Sequence, residues 1–150
     1  MTEYKTNIPE ITLKYKTGDI KKVKISSASD GADYLKLMYD QDTIEISESA
    51  IVVYFNQALN SIGWFRVSQG GMTGTVIDVR LVLATALKCG AAGIMMSHNH
   101  PSGNTEPSES DKNLTQKLKE AGKIMDIRLI DHIILTANGS YFSFADEGLL

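Results

Sequence analysis

The sequence predicts a single α/β domain, and three observations carry that expectation. Ala50 to Phe55 is continuously apolar, which suits a central strand covered on both faces. Val79, Val82, Leu83, Ala86 and Leu87 recur at helical spacing between residues 78 and 89. Gly93 to Ser97 reads as a short buried strand that runs straight into a polar stretch at 97–111. A length of 150 residues fits one domain that can pack a core without disulfides.

Bulk chemistry narrows the class. The apolar fraction of 43% and charged fraction of 22% are ordinary for a soluble globular protein. Fifteen basic and 18 acidic residues give a net charge of −3, which counts against general nucleic-acid binding, since gripping phosphates favours a basic excess. No run approaches the roughly 20 apolar residues of a membrane helix, and the charged start Met1-Thr2-Glu3-Tyr4-Lys5 is not a secretory signal. The single cysteine, Cys89, excludes an intrachain disulfide and makes a cytoplasmic location natural. At the end of a helical pattern, it reads as a small buried side chain.

In chain order, residues 10–16 and 20–25 alternate apolar and polar about the turn signal Thr17-Gly18-Asp19, as a hairpin does. Ser27 to Ser29 can cap a helix whose apolar side carries Ala32, Leu35, Leu37 and Met38 and which ends at 40–42. Residues 44–49 carry Glu45 and Glu48. Residues 56–60 read as a turn, and Ser61 to Val67 as the hairpin partner of 50–55, with Trp64 a packing residue. The glycine-rich stretch 69–74 lacks the Lys-Ser/Thr of a phosphate loop and reads as a connection. Thr75 is expected to cap the helix over 78–89, and Gly90 to stop it. A polar helix is expected from Ser108 to Gly122, with Leu114 and Leu118 inward. Strands at 127–136 and 140–144 should flank the Asn138-Gly139 turn.

The chemistry concentrates at 97–111. Alternate residues of an extended segment face the same way, so His98 and His100 can point to one side. Neutral imidazole is the commonest zinc ligand, and three protein ligands with an open fourth position mark a catalytic site. Asp111, one turn into the next helix, is a reasonable third ligand if the Pro101-Ser102-Gly103 loop folds that helix back. Water in the fourth position would have its pKa lowered to about 7. Singly, these pieces are weak: a His-x-His is often structural, and Ser108 to Asp111 matches a helix cap. Their conjunction shifts the reading toward a zinc site.

That conjunction resembles a known family. His98-x-His100, seven intervening residues, Ser108, two more, then Asp111 is similar in identity and spacing to the JAMM motif of the JAB/MPN metalloproteases. The RadC-like branch is resembled more closely still, through His98-Asn99-His100-Pro101-Ser102-Gly103, Asp131-His132-Ile133-Ile134 and the run from Ser143 to Leu150. The resemblance covers about residues 44–150 and leaves residues 1–43, hairpin and helix, as an N-terminal extension of one globular unit.

The resemblance implies a cytidine-deaminase-like mixed sheet flanked by helices, with zinc at a strand end. It implies that His98, His100 and Asp111 bind the zinc and that Ser108 hydrogen-bonds the developing oxyanion. It also implies an upstream glutamate that takes a proton from the attacking water and passes it to the leaving amine. Glu48 matches that position, with Glu45 the rival; burial beside an apolar strand could raise its pKa toward the working pH. His132 is expected to be a hydrogen-bonded core or ligand-supporting residue, and Ser102 a partner for a ligand. The implied function is zinc-dependent hydrolysis of a peptide or isopeptide bond in an unidentified peptide or protein substrate. The rival, from the RadC name, is DNA repair or a mobile-element role through binding. No helix-hairpin-helix region is read in the sequence, which counts against it, and a homodimer through edge strands is left open.

Overall fold

The computed structural model describes residues 14–16, 22–70 and 76–150. In chain order its elements are α1 (Ala28–Lys36), β1 (Ser49–Phe55), β2 (Ser61–Gln69), α2 (Val79–Cys89), β3 (Gly93–Asn99), α3 (Glu109–Ile124), β4 (Arg128–Leu135) and β5 (Tyr141–Ser143). The strands form one mixed sheet in the order β2-β1-β3-β4-β5. Only β3 and β4 pair parallel; β1 is antiparallel to both β2 and β3, and β5 is antiparallel to β4. A parallel pair needs a crossover, and α3 supplies it. The fold is therefore the expected α/β domain. Most of the expected N-terminal hairpin, and residues 71–75 of the glycine-rich connection, lie outside the described residues.

Strand alternation divides the core between the two sheet faces. Ala50, Val52 and Tyr54 of β1, with Ile94 and Met96 of β3, pack against Val79, Val82 and Ala86 of α2 and Leu118 of α3. Ile51, Val53, Phe55 and Met95 face the other way, against Ala32 and Leu35 of α1. Every residue of β1 and β3 is buried, as the continuous apolar runs anticipated. α1 approaches closely because residue 31 is glycine: a Cβ there would stand 2.9 Å from the Met95 sulfur and 3.2 Å from Ile133 Cδ1.

β4 carries an irregularity that matters for the site. Ile94 pairs with Leu129, but Met95 pairs with Asp131, so Ile130 is an extra residue on β4. Leu129 packs with the α2/α3 face, whereas Ile130, Ile133 and Leu135 pack on the α1 face. The insertion thus reverses the alternation and turns His132 toward α3. Gly93 makes room, since a Cβ there would lie 2.8 Å from Ile130 Cδ1.

Local chemistry sets the helix ends. Ser27 caps α1 by accepting from the Asp30 amide. Asp78, rather than Thr75, caps α2 by accepting from the Arg80 amide, and Gly90 ends that helix with φ +67°. Three packing expectations are corrected. Leu37 falls just past the end of α1 and is 81% exposed. Trp64 is 49% exposed on edge strand β2, with the Arg66 guanidinium 6.0 Å from its ring centroid. Cys89 is half-buried, its thiol pushed up by that burial.

Candidate metal centre

The site forms where β3 runs out toward α3. His98 follows Ile94 and Met96 on the α3 face and is 1% exposed. The chain then turns through Pro101 to Gly103, whose amide donates to the His100 carbonyl at 3.1 Å and whose φ of +82° suits glycine. The α3 N-terminus is held by a capping box: Ser108 Oγ accepts from the Asp111 amide (3.1 Å) and Asp111 Oδ2 from the Ser108 amide (2.8 Å). The cap therefore also aims the Asp111 carboxylate. His98 Nε2 lies 3.0 Å from His100 Nε2 and 3.3 Å from Asp111 Oδ1, with His100 Nε2 3.6 Å from Asp111 Oδ2.

The surrounding hydrogen bonds fix which nitrogen faces inward. Thr115 Oγ1 can only donate to the Asp111 carbonyl, at 2.6 Å, so it must accept from His132 Nδ1, also at 2.6 Å. His132 is fully buried, and burial pushes its pKa well down, so it is neutral and its Nε2 is an acceptor. That nitrogen lies 2.8 Å from His98 Nδ1, which must therefore carry the proton. His100 Nδ1 likewise donates to the Asn104 carbonyl at 2.6 Å. In their neutral forms both histidines turn a bare Nε2 lone pair toward the other and toward a carboxylate. Three electron pairs meet at a half-buried point, and only a cation can reconcile them. This donor set fits a metal ion bound through two imidazoles and a carboxylate.

The electrostatics agree. For Asp111, burial raises the pKa, but hydrogen bonds from His100 and His98 outweigh it and hold the carboxylate far below its usual range. His100 is raised, first by its hydrogen bond to Asp111, so a proton competes for the place a metal ion would take. Glu48 immediately precedes β1, where Ala50 pairs with His98. Its carboxyl is raised by burial, opposed by the charges of His98 and His100. Glu45 is exposed.

Sequence reasoning singled out Glu48, His98, His100, Ser108 and Asp111, and the structure brings the two histidines and Asp111 together with Glu48 in their electrostatic field. It missed Thr115, whose place one turn after Asp111 on the same helix face was the available signal. Ser102 accepts from the Asn104 amide at 3.3 Å; the partner of His100 is the Asn104 carbonyl. His132 has the supporting place expected of it, stacked on Phe144 with ring centroids 4.7 Å apart.

A mixed sheet that sets a His-x-His at a strand end against an acidic helix start is the architecture of a JAB-type domain. The match to known families is to the RadC-like JAB domain, over residues 25–149, and the chain belongs to that family. A UPF0758 protein of Flavobacterium johnsoniae is 38% identical over 141 residues, covering 93% of this chain and 60% of that protein. A UPF0758 protein of Porphyromonas gingivalis is 45% identical over 103 residues, covering 69% and 45% respectively. One from Aquifex aeolicus is 33% identical over 141 residues, covering 94% and 58%. The chain thus spans about half the length of these curated relatives. Among the described residues, no helix is long and apolar enough to cross a membrane.

Proposed function

We propose that this chain is a zinc-dependent hydrolase of peptide or isopeptide bonds. The supporting observation is the meeting of two imidazole Nε2 atoms and a carboxylate at one point, with both Nδ1 atoms engaged elsewhere. Two nitrogens and one oxygen suit zinc, and three protein ligands leave a position for chemistry. His98, His100 and Asp111 would hold the ion. When bound, it supplies a Lewis acid that polarises a carbonyl and makes water a nucleophile near neutral pH.

The chain's own groups do the rest. Glu48, its proton affinity raised by burial, takes a proton from the attacking water and delivers it to the departing amine nitrogen. Ser108 Oγ accepts from the Asp111 amide as a cap, which leaves its hydroxyl proton free to donate to the oxyanion that develops on the scissile carbonyl. One residue thus serves helix and reaction without conflict.

Metal analysis of gently purified protein should return close to one zinc per chain. Glu48→Gln should keep that zinc while slowing cleavage of a peptide library by about 10²- to 10⁴-fold. Zinc-free protein, together with metal affinity indifferent to Asp111→Ala, would sink the reading.

A further inference from the structure

Asn99 stands between His98 and His100, but its side chain points to the opposite face of the sheet and is completely buried. There it meets the segment that carries Glu48. Its Oδ1 accepts from the Ser49 amide at 2.8 Å and from the Ser49 hydroxyl at 3.3 Å. Its Nδ2 donates to the carbonyls of Ile44 (2.8 Å) and Ser47 (3.0 Å). The amide has a single orientation, because the Ser49 N–H requires an acceptor and the two carbonyls require donors. Ser47 and Ser49 are the residues on either side of Glu48. The Glu48 carbonyl is held in turn by the Gly70 amide at 2.8 Å, and Arg66 ties Ser49 Oγ (3.1 Å) to the Met38 carbonyl (2.9 Å).

We infer that Asn99 is the positioning residue for Glu48: it fixes the backbone on both sides of the glutamate to the strand that carries the two histidines. One short stretch of β3 therefore sets both halves of the site, His98 from the α3 face and Glu48 from behind. Residues 41–48 form no strand and no helix, so no ladder holds this segment, and the Asn99 amide takes the place of one. The catalytic consequence rests on the function proposed above; the positional one does not.

Two readouts separate these. In metal-free protein, Asn99→Leu should raise amide exchange at Ser49 and across 44–48 at least tenfold relative to β3, while zinc affinity by competition titration stays within about threefold. Unchanged exchange, or zinc affinity lost as fully as in His98→Ala, would overturn the assignment whether or not the protein cleaves anything. In the hydrolysis assay, Asn99→Leu should lower kcat at least tenfold with KM little changed. Asn99→Leu/Glu48→Gln should be no slower than Glu48→Gln alone, since a residue that acts only through Glu48 has nothing left to lose. Additive losses would assign Asn99 a merely structural role. If the leucine variant fails to fold, Asn99→Asp is isosteric, keeps the acceptor for Ser49 and removes both donors, and should loosen 44–48 alone. No activity in the wild type would defeat the hydrolase reading and leave the exchange result to decide the positional one.

Discussion

His98 and Asn99 are neighbours in the chain and both almost wholly buried, yet the two faces of β3 handle buried polarity in opposite ways. On the α3 face, hydrogen bonds run in one direction, from His98 through His132 and Thr115 to the Asp111 carbonyl, and leave His98 Nε2 facing His100 Nε2 and the Asp111 carboxylate. On the α1 face the Asn99 amide is spent on the backbone of residues 44–49 and on the Ser49 hydroxyl. One network is open and awaits a cation; the other is closed and makes a joint. Lone pairs turned on one another and on a carboxylate repel, so a proton or a metal ion at that point stabilises the open network.

The sharpest way to break the contrast is to remove a ligand. Asp111→Ala takes away both the carboxylate and one half of the capping box, and zinc affinity should fall by more than 10³-fold in a competition titration. Retained affinity would show that the two imidazoles suffice. The next largest effect is expected at Thr115. Thr115→Val leaves His132 Nδ1–H without its acceptor and unfixes the His98 tautomer, which should cost 10- to 100-fold in zinc affinity. Thr115→Ser should restore it, and a valine variant that binds normally would show that the relay has no hold on the metal.

Acidity sharpens the comparison from the other side. Asp111 raises the pKa of His100, so the proton competes with metal at a higher pH than for an ordinary imidazole. Zinc affinity should be full above that raised value and fall as pH drops through it. Asp111→Asn should move the onset down toward about 6.5. Zinc titrations at several pH values that give a flat profile would contradict this competition between proton and metal. The smallest effect lies far from either network: Leu37→Ser, at an 81% exposed position, should change stability by no more than about 0.5 kcal/mol in denaturant unfolding.

The candidate site residues were legible because their spacing is local: His98, His100, Ser108 and Asp111 lie within 14 residues of one another. The strands were legible where burial on both faces left no ambiguity, as in β1 and β3. What escaped depends on facing across the sheet. Asn99 reads as any strand residue until Ser47 and Ser49 are seen opposite it. In residues 127–136 the alternation is broken by one residue, so pattern alone could not tell which face His132 takes. Leu37 was misread because, two positions after Leu35, it lies about 200° round the helix from the face that Ala32 and Leu35 bury.

The extra residue at Ile130 has a consequence for how this protein can vary. Substitutions along β4 alter side chains one at a time, and many would be absorbed by repacking. Pairing the same residues without the irregularity would do something different in kind: strict alternation onward from Leu129 would send His132 into the apolar layer beneath α1 and bring Ile133 beside His98 on the α3 face. His98, His100 and Asp111 would all survive, and the sheet could still pair. For lineages descended from this fold, the irregularity in β4 is therefore as much a part of the site as the identity of any candidate ligand.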